Sequence, residues 1–222
     1  MNAGSIRLYS YWRSSAAYRV RIALNLKGLP YETMPVHLVR DGGDQHKAPF
    51  SDLNPQELVP VLLHGNRILR QSLAIMEYLD ETWPSPPLMP ATARDRQRVR
   101  SISQLVASDM HPLNNLRVLQ FFETTWNVPQ AEREAWVRHW IKVGFDALED
   151  TLCDNPSTGA YCDGDVPTMA DCCLVPQVYN AERFGVDMAP YRTIRRITRE
   201  CLALEAFDAA RPENQPDAPA GS

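Results

Sequence analysis

The chain has no cysteine before position 153, and its five cysteines (Cys153, Cys162, Cys172, Cys173 and Cys201) include no CxxC pair. An odd number without that spacing argues against a thiol-pair redox centre and against a bound metal, and it predicts reduced, buried thiols. There is no surplus of positive charge: 23 Lys and Arg against 27 Asp and Glu leave a net charge of -4. Such a balance gives no general attraction to nucleic acid or to anionic lipid. No apolar run approaches the length of a membrane span, and the opening MNAGSIRLYSYWRSS holds no apolar stretch between a basic head and a cleavage site. A cytoplasmic protein that works with neither nucleic acid nor membrane is the expectation. No internal repeat is present. What the chain does have is 222 residues, 44% hydrophobic and 23% charged, enough for one large domain or two compact ones with proper cores.

Residues 6–11 (IRLYSY) alternate as a strand does, and 14–29 read as an amphipathic helix ended by Gly28 and Pro30. A second strand at 31–38 completes a parallel crossover unit with the helix on one face of the sheet. After a polar loop over 39–55, VPVLLHGNRILRQS reads as two short strands around a turn at Gly65 and Asn66, followed by a helix over 72–82. The segment PSPPLMPAT, with four prolines, can continue neither helix nor sheet and marks a domain boundary. The first domain therefore spans 1–85.

From Thr92 the strong patterns are helical. TARD resembles a capping box opening a helix with Ile102, Leu105 and Val106 along one side. A further helix opens at Pro129 and carries Trp136, Trp140, Val143 and Leu148 towards a core, and TMAD opens another at Thr168. The tryptophans and Met76 are expected in the core. The fold class is thus an α/β domain followed by an all-helical one over 92–211, with RPENQPDAPAGS too rich in proline and polar residues to pack and a loose tail expected over 212–222.

Three features of the first domain are suited to chemistry. Ser14 and Ser15 stand where the first strand gives way to the first helix, whose leading amides and partial positive charge favour an anion such as a thiolate. On position alone, an ordinary helix cap explains them better. Pro60 in LVPV suits a strand edge; a cis peptide there would leave the Val59 main chain free to pair with an extended peptide, though a plain strand-start proline is the commoner case. Gln71 and Ser72 bring an amide, a hydroxyl and backbone donors to one helix start, apt for a carboxylate, and again a cap is the simpler account. That all three fall in one strand, helix, strand, hairpin, helix unit strengthens the functional reading.

The segments YSYWRSSAAYRVRIALNLKG, LNPQELVPVL, RQSLAIMEYL and VPTMADCCLVPQ resemble zeta-class glutathione transferases over nearly the whole chain, with SSxxxRVRIAL and CLVPQVYNAERF specific to that class. The resemblance implies a thioredoxin-like N-terminal domain, an all-helical C-terminal domain and a homodimer. It implies glutathione as cofactor, with Ser14, assisted by Ser15, stabilising the thiolate. By the same resemblance Val59 pairs with the tripeptide backbone, and Gln71 and Ser72 hold its γ-glutamyl carboxylate. Where many members have a cysteine after the two serines this chain has Ala16, so serine must suffice.

The activity implied is glutathione-dependent cis–trans isomerisation of a small dicarboxylate such as maleylacetoacetate, in tyrosine and phenylalanine catabolism. The alternatives are maleylpyruvate isomerisation, conjugation of haloacids and, outside enzymes, a glutathione-fold binding or chaperone module. A dicarboxylate calls for arginine, whose planar fork takes both carboxylate oxygens. Arg13, beside the serines, and Arg183, in NAERF, are the candidates; without the family match both read as solvated surface residues. In DMHPLNN, Pro112 should kink a helix, and His111 and Asn115, four apart, should share one of its faces. The resemblance assigns HPLNN to an active-site segment, which makes His111 and Asn115 binding candidates. Thr168 and Asp171 are read as a cap serving the fold.

Overall fold

The structure is a computed structural model that describes residues 4–219. The described residues form two compact units, 4–88 together with 203–219, and 89–202.

In the first unit, strand β1 (Ile6–Ser10) is followed by helix α1 (Ser15–Leu26), strand β2 (Glu32–Pro35), a single helical turn α2 (Phe50–Leu53), the hairpin β3 (Val61–His64) and β4 (Arg67–Arg70), and helix α3 (Ser72–Thr82). The sheet order is β2-β1-β3-β4, with β1 parallel to β2 and antiparallel to β3. Gly65, at φ +58, supplies the left-handed residue that the tight β3–β4 turn requires. Leu8, Leu62, Ile22, Leu24, Ile75 and Leu79 are fully buried, and α1 packs against α3. A separate cluster of Tyr11, Trp12, Val36, Phe50, Val59, Val61 and Leu63 packs with Tyr9 and Leu38. Because neighbouring residues 61, 62 and 63 point alternately, burial of all three means β3 is covered on both faces.

A buried cation fastens the end of this unit. Lys27 Nζ lies 2.6 Å from Asp80 Oδ1 and donates to the carbonyls of Trp83 (2.7 Å) and Pro86 (2.6 Å). Asp80 Oδ1 also accepts from the Leu88 amide at 2.7 Å. Three acceptors saturate the ammonium, which is what makes its burial tolerable.

The second unit is helical. Helix α4 (Ala93–Gln104) is capped by Thr92, whose Oγ1 accepts from Asp95 N at 3.2 Å. It runs on through a π-helical turn (Leu105–Met110) into a short α5 (His111–Leu113). Then come α6 (Leu116–Trp126), α7 (Gln130–Leu152), α8 (Met169–Arg183) and α9 (Arg192–Leu202). The TMAD segment forms a full capping box: Asp171 Oδ2 accepts from Thr168 N (2.7 Å) and Thr168 Oγ1 (3.0 Å), and Oδ1 from Cys162 N (2.9 Å). Burial raises the Asp171 pKa in spite of these donors. Thr168 and Asp171 thus serve the fold, as expected. Gly144 has a packing role as well, since a Cβ there would sit 2.1 Å from Met110 Sδ.

Five expectations need correction. The tail does not hang loose over 212–219: Pro212 and Gln215 are buried, and Ala218 packs against the Tyr11–Trp12 cluster. Positions 220–222 lie outside the described residues. The ordering comes from polar side chains aimed inward, which composition does not reveal. The buried face of α7 is Val137, Ile141, Phe145, Leu148 and Leu152, leaving Val143 46% exposed and Trp136 and Trp140 half-buried. A spacing of three and four admits only one such row. Trp126 is 62% exposed, near the end of α6. Finally, Cys153 is exposed, whereas the other four cysteines are buried. Helix α7 also begins one residue later than expected, with Pro129 as its cap.

Candidate active site

The β-sheet register gathers the first-domain candidates. Tyr9 pairs with Val61, so the chain leaving β1 and the chain entering β3 lie at the same end of the sheet. Val61 pairs in turn with Arg70, which brings Gln71 and Ser72 to that end as well.

Leaving β1, residues 11–14 make a tight turn closed by Ser14 N donating to Tyr11 O at 2.9 Å. Ser14 has extended backbone angles and is the cap of α1, its Oγ accepting from Ala17 N at 3.2 Å. The cap expected on position is therefore real, and it leaves the hydroxyl proton of Ser14 able to donate elsewhere. The first turn of α1 holds no acidic residue, so nothing in that turn neutralises its positive end. Ser15, the first residue of the helix, is buried. Arg13 is half-buried, its guanidinium 5.2 Å from the centre of the Trp12 ring.

Val59 is buried in the cluster with Tyr11 and Trp12, and its peptide bond to Pro60 is cis. Gln71 occupies the cap position of α3 at φ 68, ψ 117, left-handed territory that costs a side-chain-bearing residue roughly 1–3 kcal/mol and that clusters at functional sites. Its side chain does not cap the helix; Nε2 donates to Gln56 Oε1 at 2.9 Å. Ser72 opens α3, again with no acid in the first turn, and its Oγ accepts from Arg19 Nη1 at 3.2 Å.

The other three candidates belong to the second unit. The shared helical face expected for His111 and Asn115 is not continuous, because the helix stops at Asn114 (φ -109, ψ 16) and Asn115 caps α6 through Arg117 N at 3.1 Å. The helix passes through Pro112 directly after the π-helical turn and stops two residues later, with Asn115 Nδ2 3.5 Å from His111 Nε2. Asn114 and Asn180 are buried and joined, Asn180 Nδ2 donating to Asn114 Oδ1 at 3.4 Å. Arg183 Nη2 donates to Asn180 Oδ1 at 3.2 Å, and its guanidinium lies over the Phe184 ring. A polar chain thus links Arg183 to the HPLNN segment within this unit.

Sequence reasoning gave no role to Arg19, Arg21, Asn114 or Asn180. Arg19 and Arg21 are buried, although they are charged residues in an otherwise apolar helix. That mismatch is the signal that could have found them, since arginine is almost never fully buried without a partner to hold.

Two helix starts free of acidic side chains, three hydroxyls and a side-chain amide at one sheet end make a donor set suited to a ligand carrying both a thiolate and a carboxylate. A four-stranded mixed sheet of this order with α1 and α3 is a thioredoxin-like domain, here followed in the chain by an all-helical unit. A family model described as "Glutathione S-transferase, N-terminal domain" matches residues 8–87. A probable maleylacetoacetate isomerase of Vibrio cholerae is 54% identical over 214 residues, covering 96% of this chain and 99% of that protein. Among solved structures, the holo form of a bacterial maleylpyruvate isomerase of the zeta class superposes with a TM-score of 0.93 at 48% identity, covering 96% of this chain and all of that one. A maleylacetoacetate isomerase from Methylobacterium extorquens, solved with malonate and glutathione, gives 0.92 at 44% identity, over 96% and 99% of the two chains. The chain belongs to the glutathione S-transferase family and, within it, to the zeta class.

Proposed function

We propose that this chain is a glutathione-dependent isomerase that converts maleylacetoacetate to fumarylacetoacetate, with Ser14 holding the cofactor's sulfur. The observation that carries the proposal is the placement of the Ser14 hydroxyl at the start of α1, whose first turn has no acidic residue. When bound, glutathione supplies a thiolate that adds to one carbon of the cis double bond, permits rotation about the resulting single bond and leaves again, so that no atom is gained or lost. The Ser14 hydroxyl donates to the sulfur, and Ser15 and the leading amides of α1 add to the field that keeps it ionised. Val59 offers its main chain to the tripeptide. Gln71 and Ser72, at the start of α3, take the γ-glutamyl carboxylate, and Arg19 Nη1, bonded to Ser72 Oγ, fixes that hydroxyl. Arg13 and Arg183 take the substrate carboxylates, while His111 and Asn115 contribute binding from the helical unit.

The proposal extends to a cytoplasmic homodimer in tyrosine and phenylalanine breakdown. Burial of four of the five cysteines in the fold supports a reducing compartment. The deciding experiment follows the loss of maleylacetoacetate absorbance with and without glutathione, beside maleylpyruvate. Turnover of maleylacetoacetate that requires glutathione is expected; failure of both substrates would overturn the proposal. Maleylpyruvate is the second reading, favoured by the 0.93 TM-score to an isomerase of that name.

A further inference from the structure

We infer that the C-terminal segment is a strap that positions the serine turn for glutathione, with Asp217 as its positioning residue; this rests on the reading of Ser14 above. The segment returns to the first unit after a short helix α10 (Glu205–Asp208) and a 3-10 turn (Pro212–Asn214). Asp217 Oδ2 accepts from the Trp12 amide at 2.9 Å. Trp12 is the second residue of the turn closed between Tyr11 O and Ser14 N, so this contact lies two residues from the catalytic hydroxyl.

The other side of the same residue is held too. Arg21, fully buried, donates from Nη2 to Trp12 O at 3.0 Å and from Nη1 to Ser10 Oγ at 3.1 Å. Its Nε donates to Ala210 O at 3.0 Å, so one guanidinium joins the strap to the serine turn. Both backbone polar groups of Trp12 are therefore fixed, the amide by the strap and the carbonyl by a side chain that also grips the strap. Asn25 Nδ2 ties down Ala206 O at 3.0 Å. Buried Gln215 folds the strap upon itself, donating to Ala209 O (3.0 Å) and Arg211 O (2.8 Å). Ala218 then packs on the cluster that contains Tyr11, Trp12 and Val59.

Stability alone does not account for this arrangement. Asp217 Oδ1 is buried with no hydrogen-bond partner among the described residues, and an unsatisfied buried carboxylate oxygen works against folding. What the carboxylate does provide is a charge-assisted bond to one backbone amide of a turn. Its worth lies in orientation, because small misplacement of a group that meets the reacting atom costs far more than the bond itself.

The test uses the full chain with Asp217→Ala and Asp217→Asn, and a chain ending at residue 211. Glutathione affinity is measured by calorimetry, the ionisation of bound glutathione by thiolate absorbance against pH, and folding by circular dichroism. Loss of a charge-assisted bond predicts about a tenfold rise in Kd for Asp217→Ala and for the shortened chain, with the thiol's titration midpoint moved upward. Asp217→Asn keeps an acceptor for the Trp12 amide and should stay within about twofold of the parent. Parent-like affinity and midpoint in Asp217→Ala, failure of Asp217→Asn to rescue, or an Asp217→Ala chain that does not fold would each overturn the assignment. Ser14→Ala is run alongside. If it leaves the midpoint unmoved while Asp217→Ala weakens binding, the serine reading fails and the strap stands; the reverse pattern sinks the strap alone.

Discussion

Ser14 does two things at once, and two substitutions separate them. Its Oγ caps α1 through Ala17 N, and in the proposed reaction its hydroxyl proton is donated to a thiolate. Ser14→Ala removes both. Loss of the cap costs about 1 kcal/mol of stability. Loss of a hydrogen bond to a charged group removes about 1.5–3 kcal/mol of thiolate stabilisation, which raises the bound thiol's pKa by roughly 1 to 2 and cuts the thiolate available near neutral pH by up to about 10- to 100-fold. Ser14→Asp divides the two roles. Aspartate ranks with serine as a cap, and it sits well at the positive end of a helix, so the melting temperature should hold. A carboxylate, however, cannot donate to the sulfur and repels it, so kcat/KM should fall at least as far as in Ser14→Ala. Thermal melts and initial rates at saturating glutathione decide the matter. If the two variants lose activity in proportion to lost stability, or if Ser14→Asp turns over like the parent, the hydroxyl does not hold the sulfur.

Gln71→Gly should relieve the backbone at φ 68 and raise stability by about 1 kcal/mol, while calorimetry shows weaker glutathione binding; equal affinity would remove Gln71 from the site. Lys27→Met leaves the Asp80 carboxylate buried without its cation and should destabilise the protein by about 3–5 kcal/mol in denaturant titration. A Lys27→Met, Asp80→Leu pair should recover much of that loss. Cys153 is the exposed thiol, yet the neighbouring Asp154 carboxylate, the main cause, raises its pKa above the ordinary value. Its reactive thiolate is therefore scarce near neutral pH and grows as pH rises: iodoacetamide mass spectrometry on the folded protein should find Cys153 alone modified, slowly at neutral pH, and faster in Asp154→Asn.

Much of the fold could be read because its signals are local. Alternation in IRLYSY, the Gly65–Asn66 turn, and the Thr92 and Thr168 caps each specify structure within a few residues, and β1, the β3–β4 hairpin, α4 and α8 lie where they point. What escaped depends on distant partners. The tail is ordered by Asp217 meeting Trp12 and Arg21 meeting Ala210, pairs separated by 205 and 189 residues, which no window of composition can contain. The face of α7 was legible in principle in the row Val137, Ile141, Phe145, Leu148, but the bulk of Trp136 and Trp140 pulls the eye to the adjoining stripe. For the site, the first-unit candidates share one sheet end because strand register puts them there, and register follows from hydrophobic alternation. The Asn114–Asn180–Arg183 chain arises from packing between α8 and the end of the HPLNN segment, and neither sequence segment announces the other.

The central claim concerns the charge on one sulfur atom, and an ultraviolet titration of the thiolate in the glutathione-loaded protein measures it directly. The account predicts a midpoint clearly below the ordinary cysteine value of about 8.5, restored towards that value in Ser14→Ala. A bound thiol that titrates where free glutathione does, in parent and variant alike, would contradict it.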